Sequence, residues 1–386
     1  MTRVLVAFDK FKDALTAPAA GEAVAAALRE GHPDWSLDLA PLADGGEGFA
    51  AILTEAAGGR MVAVEATGPR GARRRAEFGV VPLAAVPRAA RNQLGLAGLP
   101  ADAAVAVIEM ATVSGLALLG QDERDPWHTS TLGTGELIRE AARAGVAAIL
   151  LGVGGSATND LGLGALAALG LQFSDVEGAP VHPVPARWPH IARVSGALPP
   201  ELPPIYIACD VTNPLLGPRG AAAVYGPQKG LQAGDHARLE AEAARLADLL
   251  CAHCAKPVAL KDAPGAGAAG GIAFGLMVGA GARLLPGFDL VSAWLDLEAR
   301  LQAADIVITG EGRFDESSLE GKGPGAIAAR ALGLGREVHV FAGQVTASVR
   351  PGLLLHAITP AGVSLAEALR AAPRNLAAAA RGVFNR

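Results

Sequence analysis

Aromatic side chains are scarce in this sequence: they make up 4% of 386 residues, with only 2 tyrosines and 4 tryptophans. The apolar interior must instead come from the abundant alanine and glycine, which suits alanine-rich helices packed closely on a sheet. Cysteine is scarcer still. Cys209, Cys251 and Cys254 are too few for a disulfide framework, and Cys251-Ala-His-Cys254 has metal-like spacing without a second ligand pair. No apolar run approaches the roughly 20 residues of a membrane-spanning helix. No basic block stands out either, since 33 Lys and Arg face 38 Asp and Glu for a net charge of -5. That balance argues against a nucleic-acid or other polyanion partner, and the densest positive patch, Arg70 to Arg75, reads as a solvated turn. The N-terminus enters a strand pattern at once, with no secretory leader, so the expected location is the cytoplasm. No internal repeat is visible.

The length allows two domains, each with its own core. The stretch Gly152 to Asp160, GVGGSATND, organises the reading. The apolar run Val146 to Leu151 leads into it as a buried strand, and a helical pattern through Leu163, Leu166 and Leu169 leads out to Gly170. A strand, a glycine-rich turn and a helix N-terminus together form an anion site, because glycine lets backbone N–H groups approach the ligand and the helix dipole faces it. Ser156, Thr158, Asn159 and Asp160 add more polar chemistry than a turn requires.

Other loops repeat the pattern. Arg3 to Phe8 is a strand ending in Asp9-Lys10-Phe11-Lys12-Asp13, followed by a helix capped by Thr16 with Pro18 in its first turn. Leu37 to Leu42 is a second strand, ending in Ala43-Asp44-Gly45-Gly46-Glu47-Gly48, and Met61 to Glu65 a third. This β-α-β-α-β order predicts a parallel sheet covered on both faces, which binds ligands at the C-terminal ends of its strands. Residues 68–100, rich in Gly, Pro and Arg, mark the expected crossing into a second domain. The proline-rich stretch 176–204 reads as a long surface connection. Ile205 to Cys209 is a strand ending in Asp210, and Asp305 to Thr309 is another, ending in Gly310-Glu311-Gly312-Arg313-Phe314-Asp315.

Two chemistries compete. Gly152-x-Gly154-x-x-Ala157, with Asp175 about 20 residues on, fits a dinucleotide fingerprint and a dehydrogenase. Gly265-x-Gly267-x-x-Gly270 matches the pattern but follows Lys261-Asp262-Ala263-Pro264 instead of a strand. A dehydrogenase leaves the acidic and basic strand-end loops unexplained. Phosphoryl transfer uses them: carboxylates suit Mg²⁺ held with substrate phosphates, and lysines suit phosphate or carboxylate charge. A Walker A loop is absent, since Gly321-Lys322 lacks the upstream glycine and the following Ser or Thr, and the protein-kinase motifs are absent too. A sugar-acid binding protein without turnover is a third reading.

The wording of the loops decides among these. FDKFKDALTA, PLADGGEG, IEMATVSGL, TSTLGTGELI, GVGGSATND, ACDVTNPL, GPQKG, GAGAAGG and TGEGRFDESSLEGKGP occur in that order, and the chain resembles the class I glycerate kinases from Ala7 to Pro324. The sequence departs from the family pattern where Asp9-Lys10 stands for Asp-Ser, and at Leu161, where glycine is common. The resemblance implies an α/β fold with a second α/β domain inserted into a Rossmann-like parallel-sheet domain. Residues 1–70 and 285–386 would form the first domain and 71–284 the second. It also implies ATP-dependent phosphorylation of D-glycerate, usually at the 2-hydroxyl, in the cleft between the domains of a monomer or homodimer. Within that frame, chemistry assigns Gly154, Gly155, Ser156, Asn159, Gly267 and Gly270 to the phosphates of ATP, with Lys229 or Lys322 adding charge. Lys12 would meet the glycerate carboxylate, and Asp210 or Asp44 would serve as base or metal ligand. Asp160 and Asp315 are the expected Mg²⁺ ligands. Which domain holds ATP stays open.

Overall fold

The computed structural model describes residues 1–320, 323–348 and 350–385. Strands β1 (Arg3–Phe8) and β2 (Ser36–Leu39) open the chain, followed by β3 (Arg60–Thr67), β4 (Arg73–Pro82), β5 (Ala104–Glu109) and β6 (Ala148–Gly152). Next come β7 (Leu171–Ser174), β8 (Arg193–Gly196), β9 (Ile205–Ala208) and β10 (Arg283–Leu285), and then β11 (Ile306–Phe314), β12 (Glu337–Val345) and β13 (Leu353–Ala357). The fold is α/β, and the chain packs as two compact units. One joins Met1–Asp44 to Phe288–Arg386, and the other is the intervening Gly45–Gly287.

The first unit holds a five-stranded sheet in the order β13-β12-β11-β1-β2. Every pair in it is parallel. Val4 to Phe8 and Val307 to Gly310 are buried without alternation, as expected of strands covered on both faces. From β1 the chain proceeds to β2 on one side, and from β11 it proceeds through β12 to β13 on the other. The junction of β1 and β11 is therefore a topological switch point, where the loops leaving the strand ends diverge and leave a crevice. Helix Ala17–Gly31 begins as expected, with the Thr16 hydroxyl accepting from the Ala19 N–H at 3.3 Å. Val24 and Leu28 of that helix share a core with Val6, Phe8, Ile308, Phe341 and Leu376.

The second unit holds a six-stranded sheet in the order β10-β9-β6-β5-β4-β3. β5, β6, β9 and β10 run parallel, whereas β4 pairs antiparallel with both β5 and β3. The strand at Met61 to Glu65 therefore does not extend a parallel sheet with the first two strands. A hairpin turn captures it instead: Gly68 N–H donates to Ala72 O at 2.7 Å and Gly71 sits at φ 93°. The Gly-Pro-rich signal that reads as a domain crossing is thus a turn inside one sheet. The proline-rich stretch after Asp175 also differs from a plain surface connection, because it leads from β7 to β8 and buries Trp188 completely.

Helices Leu132–Arg143 and Leu163–Leu169 cross so closely that Gly135 has no room for a Cβ against the backbone of Ala165. Gly135→Ala should gain up to about 1 kcal/mol of helix propensity but lose more to overpacking, about 1–3 kcal/mol or beyond. Urea unfolding should show a net loss of stability. A variant as stable as the parent would show that the helices can part without cost.

Candidate active site

At the switch point of the first sheet, β1 ends at Phe8 and the next residue, Asp9, donates its N–H to Gly310 O at 3.0 Å. Carboxylates gather here. Lys10 Nζ lies 3.3 Å from Asp44 Oδ1 and 3.8 Å from Asp9 Oδ1, and the Lys10 N–H donates to Asp9 Oδ1 at 2.7 Å. Burial pushes the Asp9 carboxyl up to about 6, with the Asp44 charge adding to the rise and Lys10 opposing it. Burial pushes Glu311 up to about 7 against a Ser318 hydrogen bond, and the charges of Asp9, Asp315 and Asp44 push the same way. Its Oε1 is buried and accepts no hydrogen bond among the described residues. Asp315 is half-buried with Arg313 Nε at 3.4 Å. Lys12 lies exposed in the turn that Phe11 anchors in the core. Lys322 lies outside the described residues.

The second unit gathers its loops at the C-terminal ends of β5, β6 and β9. Glu109, the last residue of β5, is buried and accepts N–H groups from Gly48 at 3.0 Å and Ala50 at 3.4 Å, which caps helix Phe49–Ala56. Gly154 donates to Gly45 O at 2.9 Å, where an added Cβ would lie 2.6 Å from Gly46 Cα. Gly155, at φ 69°, is exposed on the rim. Beyond it the chain turns inward, and Ser156, Thr158, Asn159 and Asp160 are all buried.

Asp160 is fully enclosed, and four donors converge on its carboxylate. Oδ2 accepts from Thr131 N at 2.7 Å, Thr131 Oγ1 at 2.8 Å and Gly164 N at 3.2 Å, while Oδ1 accepts from Gly162 N at 3.1 Å. Burial raises its pKa, and these donors oppose the rise. A ring made of donors alone favours the ionised carboxylate. The helix beginning at Leu163 is therefore already capped from within. Leu163 N–H donates to Asp160 O, Gly164 N–H to the carboxylate and Ala165 N–H to Thr131 Oγ1. This differs from the expectation of a phosphate on that helix N-terminus, whose leading N–H groups are engaged. It also differs for Asp160, whose oxygens are occupied by the loop instead of facing a metal.

Lys229 is enclosed too, at 1% exposure. Its Nζ donates to Ser156 Oγ at 2.9 Å and Thr158 O at 2.7 Å. Burial pulls its pKa down to about 7 against the attraction of Asp160. Direct contact of this ammonium with a phosphate, as the sequence suggests, is blocked by the loop itself. Gly267 and Gly270 serve close backbone approach. A Cβ on Gly267 would overlap Pro214 O, and one on Gly270 would overlap Thr158 O. Gly270 also accepts the Leu161 N–H at 3.0 Å, which holds Leu161 at φ 58°. That left-handed backbone explains why glycine suits this position, and leucine there costs about 1 kcal/mol.

Asp210 follows Cys209, whose N–H pairs with Leu285 O, and is half-buried at the end of β9. Three residues on, Asn213 is fixed on both sides: Tyr225 donates to Oδ1 at 2.7 Å and Nδ2 donates to Arg219 O at 2.8 Å. The dinucleotide fingerprint has no counterpart in this geometry. Asp175 follows β7, which pairs with β8 in a separate two-stranded sheet, and its carboxylate accepts from Glu177 and Ala179 N–H groups in its own turn. Sequence reasoning missed Glu109, Thr131 and Tyr225. A lone Glu at the end of an apolar strand was the available signal for the first.

Acidic and glycine-rich loops at the C-terminal ends of parallel strands define an α/β phosphotransferase. The chain belongs to the glycerate kinase family, whose model matches residues 4–386. It is 36% identical over 391 residues to a glycerate kinase of Halalkalibacterium halodurans, covering 99% of this chain and 97% of that protein. It is 35% identical to the glycerate 2-kinase of Escherichia coli K12, again covering 99% and 97%. A crystal structure assigned to glycerate kinase 2 of Salmonella typhimurium LT2 superposes with a TM-score of 0.77 at 38% identity, covering 99% of this chain and 97% of the other. Glycerate kinase activity follows from that membership. Among the described residues, no helix is long and apolar enough to cross a membrane.

The Glu311 titration gives a pH test. The folded chain holds this proton up to about pH 7, whereas an ordinary glutamate releases it near 4.5. Stability therefore falls as pH rises through that window, and the deficit is complete above 7. Glu311→Gln removes the titration, so the variant should melt higher than the parent near pH 8 and gain little near pH 5. Parallel melting curves across this range would mean that the carboxylate is well solvated.

Proposed function

We propose that the protein transfers the γ-phosphoryl group of ATP to D-glycerate, giving 2-phospho-D-glycerate and ADP, in the cytoplasm. The observation that carries this reading is that the motifs FDKFKDALTA, GVGGSATND, ACDVTNPL and TGEGRFDESSLEGKGP lie at the C-terminal ends of strands that run parallel, β1, β6, β9 and β11, where open α/β sheets bind ligands. In this reading the two units are the two domains of the kinase.

The first unit offers carboxylates. No three acidic or histidine side chains among the described residues converge on one point. Mg²⁺ is commonly held by one or two carboxylates together with phosphate oxygens and water, and the raised carboxyls of Asp9 and Glu311, with Glu311 Oε1 accepting no hydrogen bond among the described residues, fit such a role. Asp315 and Asp44 stand beside them. When bound, Mg²⁺ supplies charge neutralisation of the phosphates. Lys12, exposed on its turn, meets the carboxylate of glycerate by charge.

The second unit offers backbone and a base. Gly155 forms the exposed rim that meets phosphate and the half-buried Gly154 packs beside it, while Ser156 and Asn159 sit behind, with Asn159 Oδ1 left without a protein donor among the described residues. Gly267 and Gly270 shape the rim from the neighbouring loop. Asp210 takes the proton from the attacking hydroxyl as general base, with Asp44 the alternative.

A coupled ADP assay with D-glycerate and Mg²⁺ should show turnover, and phosphorus NMR should show 2-phosphoglycerate as the product. Absence of ADP release at millimolar substrate would overturn the activity. A dominant 3-phosphoglycerate signal would overturn the position, which a shift of about 1 Å in the seating of glycerate is enough to change.

Asp210→Asn keeps the shape and removes the charge. It should lower kcat by roughly 10²-fold or more, the scale of general acid–base catalysis. A kcat within about threefold of the parent, with a lower melting temperature, would make Asp210 a turn residue and transfer the role to Asp44.

A further inference from the structure

Lys229 is the only lysine buried among the described residues. An ammonium out of water is costly unless it is paired and hydrogen-bonded, so its surroundings have to be built for it. They are. The side chain leaves the tight turn Pro227–Lys229, which Gly230 closes at φ 96° against the backbone of Arg124. It crosses to a loop more than seventy positions earlier and donates to a hydroxyl, Ser156 Oγ, and a carbonyl, Thr158 O. Burial disfavours the charged form, and the Asp160 carboxylate acts against that by favouring the ammonium. On the other flank, Gly270 clamps the same loop through its carbonyl and leaves no space between the two backbones.

A hydroxyl and a carbonyl that both accept from one ammonium, Ser156 Oγ at 2.9 Å and Thr158 O at 2.7 Å, are oxygen ligands of the kind a monovalent cation takes. We propose that Lys229 is an internal cation, filling a pocket of oxygens beneath the 152–160 loop and holding that loop in its working shape without touching substrate. Lys229 is then a positioning residue. The proposal rests on reading the loop as part of the kinase site, and it adds a property of this chain: the pocket accepts a free cation of matching shape once the lysine side chain is removed.

Lys229→Ala removes the side chain beyond Cβ, a shape and charge that propylammonium matches. In buffer below the Lys229 pKa of about 7, the variant should melt lower than the parent and lose about tenfold or more in kcat, with smaller changes in KM. Millimolar propylammonium should restore both kcat and melting temperature, and propanol, similar in shape but neutral, should not. If Lys229→Ala does not fold, Lys229→Met keeps the apolar stem and lacks the amine, and ammonium ion becomes the probe. Equal rescue by propanol would reduce Lys229 to a packing residue. A variant that melts and turns over like the parent, or one that no amine restores, would overturn the proposal. The melting arm reads the loop directly, so a parent protein without kinase activity would refute the functional reading and leave the cation pocket standing.

Discussion

An ionised carboxylate sealed from water must be surrounded by donors, and Asp160 imposes that demand on everything around it. Thr131 has to present both its N–H and its hydroxyl, which fixes the start of the helix Leu132–Arg143. Gly162 has to adopt φ 72° so that the first turn of the next helix can point its N–H groups back. The Lys229 ammonium then compensates the charge from the far side of the loop. Losing any one donor would leave a buried charge short of a partner, which costs more than the hydrogen bond itself contributes. Four separate sequence motifs are thereby held as one polar core at the ends of the strands.

The two sets of loops have opposite characters. Around β1 and β11, burial raises the pKa values of Asp9 and Glu311, and the neighbouring carboxylates add to the rise. Around β6, the buried Asp160 and Lys229 are enclosed by the loop, and Gly155 is its exposed backbone.

Much of this was legible in advance. Short apolar runs at Val4 to Phe8 and Ile306 to Thr309, bounded by turn residues, read as buried strands, and several polar loops at the ends of such strands together point to a site. Topology was less legible, because a Gly-Pro turn signals a hairpin and a domain crossing equally well, and only the pairing of β3 with β4 distinguishes them. Within the site, the chemistry of a side chain could be read but not its direction. Asp160, Lys229, Gly267 and Gly270 look like ligand groups in sequence. Their burial is set by contacts with loops 30 to 110 positions away, which local pattern does not carry.

The first unit is assembled from the two ends of the chain, and this governs its birth. β1 pairs with β2 and with β11, about 300 residues later, and helix Leu365–Phe384 belongs to the same core through Leu376. During synthesis the inserted unit is complete before either of those later partners exists. At ordinary translation speeds, β1 waits roughly 15 seconds to a minute with its apolar face and one backbone edge unpaired. The inserted unit meanwhile can fold and, by becoming compact, shorten the effective loop that β1 and β11 must close. β1 is thus the segment of this sheet that stays longest without its partner during synthesis, and it gains one only when the inserted unit has been made.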